Sequence, residues 1–133
     1  MRRKSIDIRP VKPNTIAKSL AIGNPADGYY ASGFIQSSGG WADDATDAEI
    51  SEGIRLLAET QGIYTETAGG VSIAVTKKLV DKGYIDRRGI TVVAITGNGL
   101  KTPDAVTLDT PETIDAKIDA FERAVEGGIA HVA

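Results

Sequence analysis

A β-branched run, Ile90-Thr91-Val92-Val93-Ala94-Ile95, closes on Thr96-Gly97-Asn98-Gly99, and no other stretch narrows the folding options of this chain as much. A short apolar run bounded by a glycine-rich turn reads as a buried strand. The turn then carries one hydroxyl, Thr96, at the strand's carboxyl end, where open α/β sheets bind their ligands. Gly97 and Gly99 let the backbone approach a flat ligand or take a positive φ, which a side chain would block. The same pattern equally describes a plain turn in which Thr96 bonds its own loop.

The rest of the chain alternates strand-like and helix-like stretches. Ile6-Asp7-Ile8-Arg9-Pro10 reads as a short strand closed by Pro10 and Pro13. Asn14 or Thr15 then caps a helix through Ile16, Ala17, Leu20 and Ala21, ending near Gly23-Asn24-Pro25. A second helix over 26–36 turns Tyr29, Tyr30, Phe34 and Ile35 toward a core, and Trp41-Ala42-Asp43 is a candidate strand. Thr46-Asp47-Ala48-Glu49 is a capping box. The helix it opens aligns Ile50, Ile54, Leu57 and Ala58 on one face and stops at Gly62. Ile63-Tyr64-Thr65 reads as a short buried strand. Ala68-Gly69-Gly70 leads into a helix to about Lys82, with Val71, Ala74, Val75 and Leu79 inward. Lys77, Lys78 and Lys82 suit the negative end of its dipole. Thr110-Pro111-Glu112 opens a last helix bearing Ile114, Ile118, Phe121 and Val125, which Gly127-Gly128 stop. Strands alternating with helices predict an α/β fold, a mostly parallel sheet of three to four strands with flanking helices. Residues 1–133 are expected to form one domain, with a core at about 8–105 and a C-terminal helix at about 111–126.

Composition removes several function classes. The net charge of −3 offers no basic surface for nucleic acid, and Arg2-Arg3-Lys4 is the only basic cluster. With no cysteine, disulfides and thiolate metal sites are excluded. The one histidine, His131, excludes a histidine-rich metal site within a single chain and makes a poor base for a Ser-His-Asp triad. No apolar run reaches membrane-spanning length and the start is unlike a signal peptide, so the expected location is cytoplasmic.

Three segments combine small residues with one polar group at a strand end or helix start: 13–19, 65–70 and 96–99. Such junctions admit a ligand ring or phosphate close to the backbone but do not name it. Here the sequence resembles the carboxyl-terminal part of the threonine synthases, within the fold type II family of pyridoxal-phosphate enzymes. The resemblance runs from about Ile8 to Ala105. It is carried by Pro13-Asn14-Thr15-Ile16-Ala17, Ile22-Gly23-Asn24-Pro25, Ser38-Gly39-Gly40, Glu66-Thr67-Ala68-Gly69-Gly70 and Thr96-Gly97-Asn98-Gly99-Leu100-Lys101. It implies part of a three-layer α/β/α large domain and a binding half-site for pyridoxal 5'-phosphate. By the same resemblance, the Thr96 hydroxyl hydrogen-bonds the cofactor's pyridine nitrogen and Gly97 gives the ring room. Ala17 and Ser19 match the segment passing one ring edge, with ordinary helix packing as the alternative. Glu66 matches the acid of a Glu-(Pro/Thr)-Ala-Gly motif and either orients the surrounding loops or caps the following helix. Lys101 reads as a surface lysine after a turn.

The resemblance also defines what this sequence lacks. The family's cofactor-bearing lysine sits in a Ser-Phe-Lys-Asp-Arg-like context, and none of the lysines here, at 4, 12, 18, 77, 78, 82, 101 and 117, has those neighbours. Its Gly-Asn-x-Gly-Asn phosphate loop is absent too. The implied function is that of a fragment or subunit of a threonine synthase, making threonine and phosphate from O-phosphohomoserine and water, and inactive alone. A non-catalytic ligand-binding or regulatory remnant of a threonine synthase or threonine dehydratase-like fold is the competing reading. Either way the chain is expected to form a homo-oligomer or to pair with an N-terminal partner chain carrying the lysine.

Overall fold

The computed structural model describes residues 8–106 and 113–129. Four α-helices appear: α1 (Gly28–Ser37), α2 (Asp47–Gln61), α3 (Thr67–Asp81) and α4 (Ile118–Ile129). Three 3₁₀ turns, Lys18–Leu20, Gly99–Lys101 and Pro103–Ala105, complete the regular structure. Among the described residues there is no sheet, only an isolated antiparallel bridge between Thr65 and Asn98. The expected α/β class, with its parallel sheet of three to four strands and three layers, is therefore overturned.

The reason lies in what a strand requires. Residues 90–95 are free of regular structure; Ile90 is 100% exposed and Val92 90% exposed. A β-branched run becomes a strand only when a neighbour takes its backbone bonds and its side chains find a packing surface. Among the described residues neither is supplied. Residues 41–43 form no strand either, 63–65 contribute only the Thr65 bridge, and 8–10 are irregular, with Ile6 and Asp7 outside the described residues.

The helical expectations fare better where the signal is local. The capping box forms as read: Thr46 Oγ1 accepts from the Glu49 N–H at 3.3 Å, while Glu49 Oε2 accepts from the Thr46 N–H at 2.7 Å. Gly62 ends α2 in the left-handed region at φ 68°, which glycine adopts without a Cβ penalty. Ile50, Ile54 and Leu57 are buried along one face. Toward α3, Gly53 and Gly70 permit close helix approach, since a Cβ on Gly53 would stand 2.6 Å from the Gly70 carbonyl oxygen. Ala74 and Leu79 are buried on α3, and Val71 and Val75 are half-buried. Ala17, Ile50, Ile54 and Val106 form the central cluster, joined by Ile16, Ala45, Tyr64, Val71 and Ala105.

Other helix expectations need correction. The stretch 14–21 gives only the 3₁₀ turn at Lys18–Leu20, which packs against α3. Helix α1 forms, but Tyr29, Tyr30 and Phe34 point outward, 59%, 64% and 73% exposed, because no element lies against that face. Gly127 and Gly128 continue α4 rather than stopping it, and Ile114 precedes the helix. The expected cap at Thr110-Pro111-Glu112 lies outside the described residues.

Candidate functional site

The chain around Glu66 and the turn after residue 95 are fastened side by side. Gly99 N–H donates to the Tyr64 carbonyl at 3.0 Å, and Thr65 Oγ1 donates to the Gly97 carbonyl at 3.1 Å. The Glu66 N–H reaches the same carbonyl at 3.5 Å. One step further on, the Thr67 N–H donates to Thr102 Oγ1 at 3.2 Å. These bonds join segments more than thirty residues apart in sequence. Within the second segment, Asn98 Oδ1 accepts from the Leu100 N–H at 2.9 Å and opens the 3₁₀ turn Gly99–Lys101.

Gly97 holds φ +81° and lies flush against the Glu66 carboxylate, which fills the space a Cβ would take. A side chain there would meet both the left-handed backbone penalty and that carboxylate. Glu66 itself is the N-cap of α3 by position, yet its side chain makes no capping bond. The two readings of Glu66 are thereby resolved on geometry: the carboxylate braces the neighbouring turn rather than capping its own helix. Lys101 is 65% exposed and still engaged, its Nζ 3.9 Å from Glu66 Oε2.

Thr96 stands beside this brace, exposed, and its hydroxyl makes no hydrogen bond to any described residue. The alternative in which Thr96 bonds its own turn is not what the structure holds. The buried hydroxyl of Thr67, at the first position of α3, likewise lacks a partner among the described residues. Leaving such a group unpaired costs about 1–3 kcal/mol, and strain of this kind gathers at functional sites. Of the five residues singled out by sequence, Thr96, Gly97 and Glu66 are thus brought together. Ala17 is instead sealed in the core at 2% exposure, its N–H donating to Thr15 Oγ1, and Ser19 is exposed on the first 3₁₀ turn.

Sequence reasoning passed over Thr65, Thr102 and the pairing of Lys101. It also missed Asp47, which ties the 13–19 segment to α2 by accepting from Thr15 Oγ1 at 2.6 Å and the Ile16 N–H at 3.1 Å. Those two donors, the Thr15 hydroxyl first, hold the Asp47 carboxyl below its ordinary range. A separate small cavity of about 80 Å³ between α2 and α3 is lined by Glu49, Glu52, Leu56, Ile73, Lys77 and Lys78 among others, with no site residue. Cofactor pockets run to several hundred Å³, so this groove is not one.

Comparison with known proteins agrees with this arrangement. The pattern of the family described as "Pyridoxal-phosphate dependent enzyme" matches residues 2–97. A threonine synthase of Methanocaldococcus jannaschii is 45% identical over 119 residues, covering 89% of this chain and 29% of that protein. Threonine synthases of Methanosarcina acetivorans and Halalkalibacterium halodurans are 40% and 37% identical, over 86% and 89% of this chain and 29% and 34% of their own lengths. The chain therefore spans about three-tenths of the relatives it matches. With most of its length inside the family pattern, and with Thr96, Gly97 and Glu66 gathered at one place, the chain belongs to the pyridoxal-phosphate dependent enzyme family.

Proposed function

We propose that this chain supplies one side of a threonine synthase active site, with Thr96 meeting the ring nitrogen of pyridoxal 5'-phosphate. The observation that carries the reading is the Thr96 hydroxyl: exposed, without a partner among the described residues, and next to a turn braced at Gly97 by Glu66. This donor set fits the edge of a planar heteroaromatic ring. A threonine hydroxyl can donate to a neutral pyridine nitrogen without forcing its protonation, as a carboxylate would. Gly97 contributes the absence of a side chain, and Glu66 fixes the backbone on which Thr96 sits. Ser19 is the exposed member of the 13–19 lining, and Ala17 is the packing behind it.

Pyridoxal phosphate, when bound, supplies the electron sink that replacement chemistry on an amino acid needs. The residues of this chain orient its ring; the lysine that would carry it and the loop that would hold its phosphate are absent from this sequence. The reaction expected of the completed site is O-phosphohomoserine plus water giving threonine plus phosphate. A second polypeptide must contribute the lysine, so the chain alone is inactive. The similarity to threonine synthases over 86–89% of the chain supports this choice of substrate.

Complementation tests it. The chain is mixed with a polypeptide spanning the remaining part of a threonine synthase, cofactor is added, and phosphate release from O-phosphohomoserine is followed. Activity in the mixture, none in either component, and a loss of about tenfold or more with Thr96→Val supports the reading. Cofactor uptake without turnover supports instead a binding or regulatory module. No uptake and no turnover in any pairing rejects both.

A further inference from the structure

The Glu66 side chain is only 12% exposed, and among the described residues no hydrogen-bond donor reaches its carboxylate. A carboxylate drawn out of water without a donor is costly and is held only by a compensating charge. That charge is Lys101, 3.9 Å from Oε2. Lys101 does not arrive there by chance of rotamer alone. Its backbone is fixed by the 3₁₀ turn: the Lys101 N–H donates to the Asn98 carbonyl at 3.1 Å, and the Thr102 N–H to the Gly99 carbonyl at 3.0 Å. Thr102 is then tied to Thr67 and Gly99 to Tyr64. The Glu66–Lys101 pair closes a ring of contacts around Gly97, with one edge of the carboxylate on the turn and the other on the ammonium.

We propose that Lys101 is a positioning residue of the site. By neutralising Glu66 it holds the carboxylate on Gly97, fixes the turn 96–99, and leaves a neutral pair rather than a bare negative charge beside the Thr96 hydroxyl. The charge balance matters because an unscreened carboxylate near a pyridine nitrogen would favour its protonated form, whereas a threonine donor suits the neutral one. The meaning of this arrangement rests on the reading of Thr96 given above. The pairing itself is a property of the chain, and it is measured without cofactor, so its failure and the failure of that reading are separate results.

Amide spectra and hydrogen exchange of the 15N-labelled chain decide it, with Lys101→Gln, Lys101→Arg, Glu66→Gln and the Glu66→Gln/Lys101→Gln double variant. Lys101→Gln is expected to shift the Gly97, Asn98 and Gly99 amides and to speed exchange at Gly99 by about tenfold, by loosening its bond to Tyr64. Lys101→Arg restores the parent values, because the charge and not the particular head group is what matters. The double variant is no worse than Glu66→Gln alone, as two members of one interaction require. Amides of α2 and α3 remain in place throughout. Unchanged 97–99 amides in Lys101→Gln would overturn the proposal. So would failure of arginine to rescue, additive losses in the double variant, or exchange that rises equally across α2 and α3.

Discussion

Glu49 joins two structural duties in one carboxylate. Oε2 accepts from the Thr46 N–H and hydroxyl, closing the start of α2, while Oε1 meets Lys78 Nζ of α3 at 2.8 Å. The Lys78 bond first, then the Thr46 N–H, lower its pKa from the ordinary 4.5 to about 2. Asp43 and Asp47 move in the same direction, the former chiefly through Lys82 and the latter chiefly through Thr15. A carboxylate with a depressed folded pKa contributes stability that is present above its unfolded value and disappears as pH falls through the folded one. Acid destabilisation should therefore develop between about pH 4.5 and pH 2. Glu49→Gln keeps an acceptor for Thr46 and removes the ion pair. Its melting temperature should lie below that of the parent at pH 7 and converge with it near pH 2. Trp41, the only tryptophan, stacks on Tyr84 at 3.7 Å between ring centroids and gives a fluorescence signal for those melts. A gap between the two proteins that stays constant across that pH range would contradict the assignment.

At the scale of elements, the α2–α3 contact is the main helix-to-helix packing, and two glycines set how close it comes. A Cβ on Gly70 would stand 2.6 Å from the Ile50 carbonyl oxygen, a backbone atom that cannot swing aside. Gly70→Ala should cost about 1–3 kcal/mol from overpacking, less about 1 kcal/mol regained from helix propensity, and lower the melting temperature. Gly33 on α1 has nothing within 4 Å of its would-be Cβ, so Gly33→Ala should melt at or slightly above the parent. Equal effects at the two positions would mean that helix propensity, not contact, controls both. The same contrast explains which elements the sequence announced. The Thr46–Glu49 box, the apolar face of α2 and the Gly62 stop are settled within one or two helical turns, and all three form. The run 90–95 has strand-forming residues but no bonding neighbour, and Phe34 has helical spacing but no facing element; partners of that kind are not written in local sequence. The site shows the same division. Thr96, Gly97 and Glu66 were found by family resemblance, whereas the Thr65–Gly97 and Thr67–Thr102 bonds span 32 and 35 residues and left no local trace. Lys101 was misread because an exposed lysine after a turn carries no signal of the carboxylate it will face.

For the whole molecule, surface area decides the argument. The chain exposes 10509 Å², against about 6,700 Å² for a compact monomer of its 13.9 kDa mass. It buries about half of its extended-chain surface, not the two-thirds its length led us to expect. The excess is apolar in several places: Ile90, Val92, Phe34 and Ile118 are each more than 70% exposed. Among the described residues no helix is long and apolar enough to cross a membrane, so a bilayer-spanning helix does not account for this surface. Large exposed apolar area in water is relieved by association, and residues 90–95 add backbone groups free to pair. We therefore expect the purified chain to run as a dimer or larger assembly by light scattering at micromolar concentration. Ile90→Lys/Val92→Lys should shift it toward monomer while leaving the Trp41 fluorescence and α2–α3 helicity unchanged, because both substituted side chains stand in solvent and support no core contact. If the substituted face is where the rest of a threonine synthase docks, the same variant should lose complementation while retaining the Glu66–Gly97 brace. A parent chain that is already a monodisperse monomer would separate the exposed area from any assembly role, and the double-lysine variant would then behave as the parent does.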